Sequence, residues 1–372
     1  MTPLRVCLAA EQLRRRVPGG IGTYTRGLLK GIGELSDDER PAVTVVTSRP
    51  PSGPDPLLSL GFPVVCSRLP GPVLTRAWDL GLLRLGRRSG VVHSVSLAAP
   101  AGAAGTPLVV TVHDVAWRSM PEAFPQRGRR WHESALRRAG ARAAIVVVPS
   151  EQTAEAVLSA GVGIGAERLV IVGEGADHLG EADVASGEAL LDRLGVNGPY
   201  LLTVSTLEPR KNLGRLLEAY ALARPKLPEP WPLVVVGPSG WGDLPPTAAG
   251  PGGGVVFAGA IQGGTLAAIY KRARLCAYVP IVEGFGLPVV ESMAQGTPVV
   301  SSPVPSSGGA SLEVDPTDTS SIAEGLVAVA IDEATRKALV EKGLARAGEL
   351  RWVKTARAHL AVWERAAEGR RR

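Results

Sequence analysis

Short apolar runs recur along the chain, and each is followed by a longer stretch whose apolar residues fall three and four apart. The first pattern predicts buried strands and the second amphipathic helices. In the first half, strands are predicted at 5–9, 42–47, 64–67, 91–94, 108–112, 144–148 and 169–172, and helices at 22–33, 75–87, 128–140 and 151–160. In the second half, strands are predicted at 200–204, 233–236, 255–257, 275–279 and 298–301. Helices are predicted there at 213–223, 264–272, 288–295, 320–330 and 333–347. Strand–helix alternation of this kind predicts an α/β protein with a parallel, doubly wound sheet in each half.

Composition sharpens the division. At 372 residues the chain is long enough for two domains, each with its own core. The boundary is placed in 173–198, a stretch rich in Gly, Ala and acidic residues between two apolar runs, and the Gly/Pro clusters 50–56 and 245–254 read as surface loops. The net charge of +6 is uneven: residues 1–180 carry 21 Lys/Arg against 15 Asp/Glu, and the rest is balanced. A basic first half suits phosphorylated acceptors or an anionic lipid surface. Nucleic acid is disfavoured, because the basic residues are not interleaved with aromatics. Cys7, Cys66 and Cys276 lie far apart in apolar surroundings, with neither zinc spacing nor a disulfide framework, and read as buried hydrophobes. No run approaches the length of a membrane span, and the short apolar start, followed by Glu11 and three arginines, reads as a strand rather than a signal peptide. The expectation is a cytoplasmic protein.

The chemistry concentrates in Glu283-Gly284-Phe285-Gly286-Leu287-Pro288-Val289-Val290-Glu291. The preceding apolar run reads as a strand, so Glu283 lies on the loop after it. Pro288 suits a first helical turn, which places Glu291 just inside a helix. The glycines allow a ligand close to the backbone, and the free N–H groups at the helix start favour an anion. A loop carboxylate, an anion-binding helix end and a second carboxylate together fit a phosphorylated, hydroxyl-rich molecule, although Glu in a first turn also serves simply to complement the helix dipole. A second segment, Glu208-Pro209-Arg210-Lys211-Asn212, sets Arg and Lys side by side where the strand 200–204 gives way to a helix. Arg offers a planar fork for phosphate oxygens and Lys a compact point charge.

On these two segments the chain resembles the retaining glycosyltransferases of family 4, with the GT-B fold. Ser292-Met293-Ala294-Gln295-Gly296-Thr297-Pro298-Val299-Val300 continues the glutamate signature, and Tyr270-Lys271-Arg272-Ala273 also fits; the likeness runs from about Val6 to Trp363. It implies two Rossmann-like domains facing across a cleft. The acceptor-side domain would be 1–180, joined by a last helix at about 355–372 that crosses back, and the donor domain 195–354. Arg210 and Lys211 would stabilise the leaving diphosphate, Glu283 would orient the donor sugar through its hydroxyls, and Glu291 would hold the ribose. Gly284, Phe285, Gly286 and Leu287 would line the donor site.

In the first half, Pro18-Gly19-Gly20-Ile21-Gly22 follows the first strand and resembles the family's glycine-rich loop beside the diphosphate. Gly19, Gly20 and Gly22 would turn main-chain N–H groups toward phosphate. His113 ends the strand 108–112, where ligands of open α/β sheets gather. The resemblance puts it near the reacting centre; the structural alternative is a histidine bonded to Asp114 or to backbone. His93 reads as structural, His132 and His178 carry no usable pattern, and Ser150 reads as a helix cap. Residues 73–88 set Leu74, Trp78, Leu82 and Leu85 at helical spacing among four arginines, which suits either an amphipathic helix on an anionic membrane or a helix packed on the sheet. The turn 305–316 departs from the family pattern and lacks its acidic residue, so the packing of that edge is open.

The expected activity is transfer of a hexose, inclining to mannose, from a nucleoside-diphosphate sugar to an acceptor hydroxyl with retention of configuration. The acceptor would be a glycan, a lipid-linked sugar or a small molecule. The absence of an Asp-x-Asp pair predicts metal independence; no metal and no cofactor beyond the co-substrate are expected. A nucleotide-sugar hydrolase or epimerase, and a non-catalytic binder, stay open as rivals. A dehydrogenase is disfavoured because no G-x-G-x-x-G follows the first strand.

Overall fold

A computed structural model describes residues 3–50, 52, 55–240 and 254–369. The chain forms two compact units, Met1–Gly175 with Arg351–Arg372, and Ala176–Leu350. Residues 51, 53 and 54 of one predicted surface loop, and 245–253 of the other, lie outside the described residues.

In the first unit the strands are β1 (Arg5–Ala9), β2 (Ala42–Thr47), β3 (Val64–Cys66), β4 (Arg84–Leu85), β5 (Val91–Ser94), β6 (Ala101–Gly102), β7 (Leu108–Thr111), β8 (Ile145–Val148) and β9 (Leu169–Ile171). The helices are α1 (Gly19–Gly33), α2 (Gly71–Asp79), α3 (Ala116–Ser119), α4 (Gln126–Arg142) and α5 (Glu151–Ser159). Seven strands pair in parallel in the order β3-β2-β1-β5-β7-β8-β9, so the order reverses between β1 and β5. The Val-rich strands β5, β7 and β8 are buried throughout, as expected of a sheet covered on both faces.

Two expectations fail here. The helix expected at 75–87 ends at Asp79: Gly81 takes a left-handed φ of 69°, and residues 84–85 form β4, which pairs with β6. The apolar spacing continues beyond the helix because Leu85 packs toward the core from β4 rather than from a helix. The glycines Gly19, Gly20 and Gly22 are the opening turn of α1 itself rather than a loop ahead of it. A Cβ on Gly22 would lie 2.3 Å from Pro18 Cβ, so the tight entry into α1 excludes any larger residue there.

The second unit holds β10 (Leu201–Val204), β11 (Leu233–Val236), β12 (Val255–Gly259), β13 (Leu275–Tyr278), β14 (Val299–Ser301) and β15 (Leu312–Glu313). Its helices are α6 (Val184–Arg193), α7 (Leu213–Ala223), α8 (Gly263–Arg272), α9 (Leu287–Ala294), α10 (Thr319–Ile331) and α11 (Glu333–Glu349). Six parallel strands run β12-β11-β10-β13-β14-β15, and the order reverses between β10 and β13. The stretch 173–198, where the sequence places the boundary, contains α6. Asp183 caps that helix, accepting from Ser186 N at 3.0 Å. The atypical turn 305–316 is well packed, with Ser306 and Ser307 buried and β15 paired to β14.

After Leu350 the chain returns to the first unit as α12 (Trp352–Glu368), which starts before the expected 355. Two glycines of α1 make room for it. A Cβ on Gly27 would meet the Trp352 ring at 2.1 Å, and one on Gly31 the Trp352 carbonyl oxygen at 2.1 Å. A directed hydrogen-bond chain then ties α12 to the sheet. Trp363 Nε1 can only donate, and it reaches His93 Nδ1 at 3.2 Å. His93 therefore carries its proton on Nε2 and donates to Thr111 Oγ1 at 2.9 Å. Thr111 donates onward to Tyr24 Oη at 3.1 Å, and Tyr24 to His359 Nε2 at 2.7 Å. His359 Nδ1 donates to Thr355 O at 2.8 Å and closes the series. Each donor meets one acceptor only if both histidines are neutral. Burial depresses both, His359 to about 4 and His93 well below its usual range.

Candidate active site

The second unit brings most of the expected site residues to its topological switch point, where crevices open beside the carboxyl ends of the strands. Arg210 and Lys211 follow β10, and Glu283 follows β13. The loop after β10 is fixed by Asn212, whose left-handed φ of 59° suits Asn better than other non-glycine residues. Asn212 Nδ2 donates to Val279 O at 3.1 Å and to Pro316 O at 2.7 Å, and Ile281 N donates to Arg210 O at 3.0 Å. These bonds hold the two loops in register with each other.

The charged groups form one buried cluster. Lys211 Nζ is ion-paired to Glu283 and donates to Tyr278 Oη at 2.7 Å, while Tyr278 donates to Glu283 Oε2 at 2.6 Å. Arg210 Nη1 lies 3.5 Å from Glu283 Oε2, and its Nε lies 2.8 Å from Glu208. Burial alone would raise the Glu283 carboxyl, but the Lys211 and Arg210 charges outweigh it and hold the group at about 2. Burial and the neighbouring Arg210 pull Lys211 down, against the pull of Glu283 and Glu208. Burial and the Glu283 charge push the Tyr278 phenol far up, so it stays a donor. The donors from Lys211, Tyr278 and Arg210 all converge on Oε2.

Beside this cluster the helix α9 begins. Gly286 has a φ of 100°, and a Cβ there would lie 2.9 Å from Ser306 Oγ. The turn at 305–316 supports the loop directly: Ser306 N donates to Phe285 O at 3.0 Å and Ser306 Oγ to Gly286 O at 2.8 Å. The side chains of Phe285 and Leu287 are buried, so these two residues and Gly284 can offer a ligand only backbone. Glu291, one turn further, is also buried. It accepts from Tyr270 Oη at 2.9 Å and from His178 Nε2 at 2.8 Å. The sequence showed no pattern around His178, which lies 113 residues from its partner.

In the first unit, the N–H groups of Gly19 and Gly20 open α1 on an exposed surface. Arg14 is committed to Asp55 through two contacts of 2.5 and 2.6 Å, whereas Arg15 and Arg16 are exposed. His113 lies just beyond β7. Its ring is occupied on both nitrogens, Nε2 donating to Val95 O at 2.9 Å and Nδ1 facing Glu174 Oε1 at 3.4 Å. Burial opposes the charged imidazolium, but Glu174 and the Val95 carbonyl outweigh it and raise the group above its usual range. The partner is thus Glu174 rather than the adjacent Asp114. Glu174 could not be linked to His113 by spacing. Ser150 caps α5, accepting from Thr153 N at 3.1 Å.

Among the described residues no cluster of three or more His, Cys, Asp or Glu is placed to hold a metal ion, and no helix is long and apolar enough to cross a membrane.

Comparison with known proteins bears on the family and the fold. Residues 192–346 match the family model described as glycosyl transferases group 1, and residues 19–175 match the glycosyl transferase 4-like domain. The chain is 29% identical over 256 residues to the O-antigen chain mannosyltransferase B of Escherichia coli, a match covering 66% of each protein. It is 26% identical over 225 residues to the serotype-specific mannosyltransferase WbdA of Escherichia coli, covering 58% of this chain and 26% of that one. The chain therefore spans less than two thirds of the length of these relatives. Among solved structures, Anabaena HepE in complex with UDP and glucose superposes with a TM-score of 0.72 at 17% identity, covering 97% of this chain and 99% of that one. WaaG, a glycosyltransferase involved in lipopolysaccharide biosynthesis, superposes at 0.69 with 17% identity, covering 96% and 99%. The fold is GT-B, and by its two signature segments and these matches the chain belongs to the family 4-type glycosyltransferases, the glycosyl transferases group 1.

Proposed function

We propose that the chain transfers a hexose, of mannose type, from a nucleoside-diphosphate sugar to an acceptor hydroxyl with retention of configuration and without a metal. The observation that carries this reading is the buried Arg210–Lys211–Glu283–Tyr278 cluster beside the start of α9. A diphosphate leaving group develops negative charge as the bond to the anomeric carbon breaks, and charges aimed at it beforehand lower the barrier most. Arg210 and Lys211 are those charges, kept in place by Glu208 and Glu283 until the donor arrives. The backbone at 284–287 adds N–H donors at a helix start. Glu283 accepts a sugar hydroxyl, and Glu291, held by Tyr270 and His178, accepts from the ribose. From the first unit, Gly19, Gly20 and Gly22 are assigned main-chain N–H donation to phosphate and His113 a role at the sugar, as the family resemblance implies. The acceptor oxygen attacks the anomeric carbon on the face the diphosphate leaves, and the acceptor proton passes to the departing phosphate oxygen. The names of the two relatives support mannose as the sugar.

The test is a thermal-shift screen with UDP, GDP, ADP and dTDP in EDTA, followed by their sugars. One diphosphate at a hundred times its Kd should stabilise by about 2.7 kcal/mol. Glu283→Gln should keep that gain but lose the further gain from the sugar. No shift with any diphosphate, or a shift only after magnesium is restored, would overturn the reading.

A further inference from the structure

The surface between α2 and β4 is unlike the rest of the first unit. Of the large hydrophobic side chains exposed among the described residues, four fall within eleven residues: Val73 at 50%, Leu80 at 54%, Leu82 at 72% and Leu83 at 37% exposure. Isolated exposed leucines are ordinary, but a cluster of this density is not. Its conformation is fixed. Leu82 N donates to Ala77 O at 2.9 Å and Gly81 N to Trp78 O at 2.9 Å, the paired bonds that close a helix with glycine in the left-handed position. In such an end the residue after the glycine usually packs back on the helix. Here that residue is Leu82, and it points into solvent.

The surroundings are basic. Between Asp55 and Asp114 the sequence holds five arginines and a single acidic residue, Asp79. Asp79 is neutralised, with Arg138 at 2.5 Å and Trp131 Nε1 donating at 3.0 Å. Arg76, Arg84, Arg87 and Arg88 are exposed, and α4 adds Arg142, whose Nη2 lies 3.7 Å from the Cβ position of Gly81.

We propose that this patch docks the protein on an anionic lipid surface, with Leu80, Leu82 and Leu83 entering the acyl boundary and the arginines meeting headgroup phosphates. Aliphatic tips ringed by arginine suit that boundary. Single-stranded nucleic acid would instead call for exposed aromatic rings to stack its bases. A second copy of the chain, joined through the same patch by a two-fold axis, would set arginine against arginine.

The experiment is co-sedimentation of the full chain with vesicles of phosphatidylcholine containing phosphatidylglycerol, at low and high salt, with pure phosphatidylcholine as control. Binding should appear on the anionic vesicles at low salt and weaken as salt rises. Leu82→Asp should reduce partitioning by about tenfold or more. Removing two charges in Arg84→Ala with Arg88→Ala should cost about 25-fold, since each basic residue near such a surface contributes about fivefold. All three side chains are exposed or nearly so, and unchanged melting would show that the variants fold. Absence of low-salt binding, binding unaltered by the variants, equal binding to neutral vesicles, or self-association abolished by Leu82→Asp would each overturn the proposal.

Discussion

The hydrogen-bond chain from Trp363 to Thr355 makes the first unit sensitive to acid in a calculable way. His359 is fully buried, and its only role in the chain, accepting from Tyr24 while donating to Thr355, requires the neutral ring. Its folded value of about 4 lies about 2.5 below the ordinary histidine value of 6.5. Because the folded value is depressed, the unfolded chain binds the proton first. The stability His359 contributes is intact above pH 6.5 and is lost as pH falls from 6.5 toward 4. At ~1.36 kcal/mol per unit the full loss is about 3 kcal/mol, and at pH 5 it is about 2 kcal/mol. His93 acts in the same direction. His113 has the opposite sign: its value is raised, so its contribution is present below pH 6.5 and is lost as pH climbs through its folded value.

The perturbation is His359→Gln, whose amide can donate to Thr355 O and accept from Tyr24 but cannot titrate. Urea unfolding, followed by tryptophan fluorescence between pH 7.5 and 5, should give a stability curve for the variant that is flatter by about 1.4 kcal/mol per pH unit below 6.5. Contributions from His132 and the carboxylates persist in the variant and cancel in the difference, as does that of His93 apart from the part of its depression that comes from the His359 charge. Parallel curves for wild type and variant would show that His359 does not titrate on unfolding, and would refute both the assigned tautomers and the neutral state.

Three further outcomes follow from the second unit. Arg210→Ala or Lys211→Ala should lower kcat/KM by about 10²-fold or more, as loss of a preorganised charge does; wild-type-like turnover in both, with folding checked by circular dichroism, would remove them from the leaving-group site. Gly286→Ala forces a Cβ onto a backbone with φ of 100° and against Ser306. It should cost about 1–2 kcal/mol, and a melting temperature unchanged by scanning calorimetry would contradict the strain. His178→Ala should raise KM for the donor about tenfold with little change in kcat, and His178→Gln should recover part of it, because a hydrogen bond to a charged group is worth roughly 1.5–3 kcal/mol. If Glu291→Gln impairs donor binding while both His178 variants leave KM unchanged, His178 does not position Glu291.

Much of this fold was legible because its signals are local. Valine runs such as 145–148 can be little else than buried strands, and Pro288 after two glycines marks a helix start wherever it occurs. The two charged segments were legible for the same reason, each being a contiguous strand-to-helix junction. Their partners were not. Tyr278 passed as part of an apolar strand, although its hydroxyl joins Lys211 to Glu283. His178 and Glu174 are brought to Glu291 and His113 only by the folded chain. The overlong helix at 75–87 was a period read past its stop signal, since Gly81 stands where a left-handed turn ends α2. The helix α6 was missed under a glycine-rich composition, although Asp183 followed three residues later by Ser186 is a usable cap signal.

The position of α12 also bears on the order in which the chain can fold as it is made. Tyr24, Thr111 and His93 are synthesised early, yet the groups that complete their hydrogen bonds, His359 and Trp363, come after the whole second unit; Tyr24 and His359 are 335 residues apart. At ~5–20 residues per second, the stretch from Gly175 to Trp352 takes about 9–35 s to translate. Throughout that interval the groove of α1 lined by Gly27 and Gly31 stands open, and Tyr24 and His93 lack their later-made partners. The second unit, contiguous from Ala176 to Leu350, is under no such delay. The nascent protein therefore passes through a stage in which its later-made unit is finished and its earlier-made unit is not. A holding chaperone would find its substrate at the α1 groove.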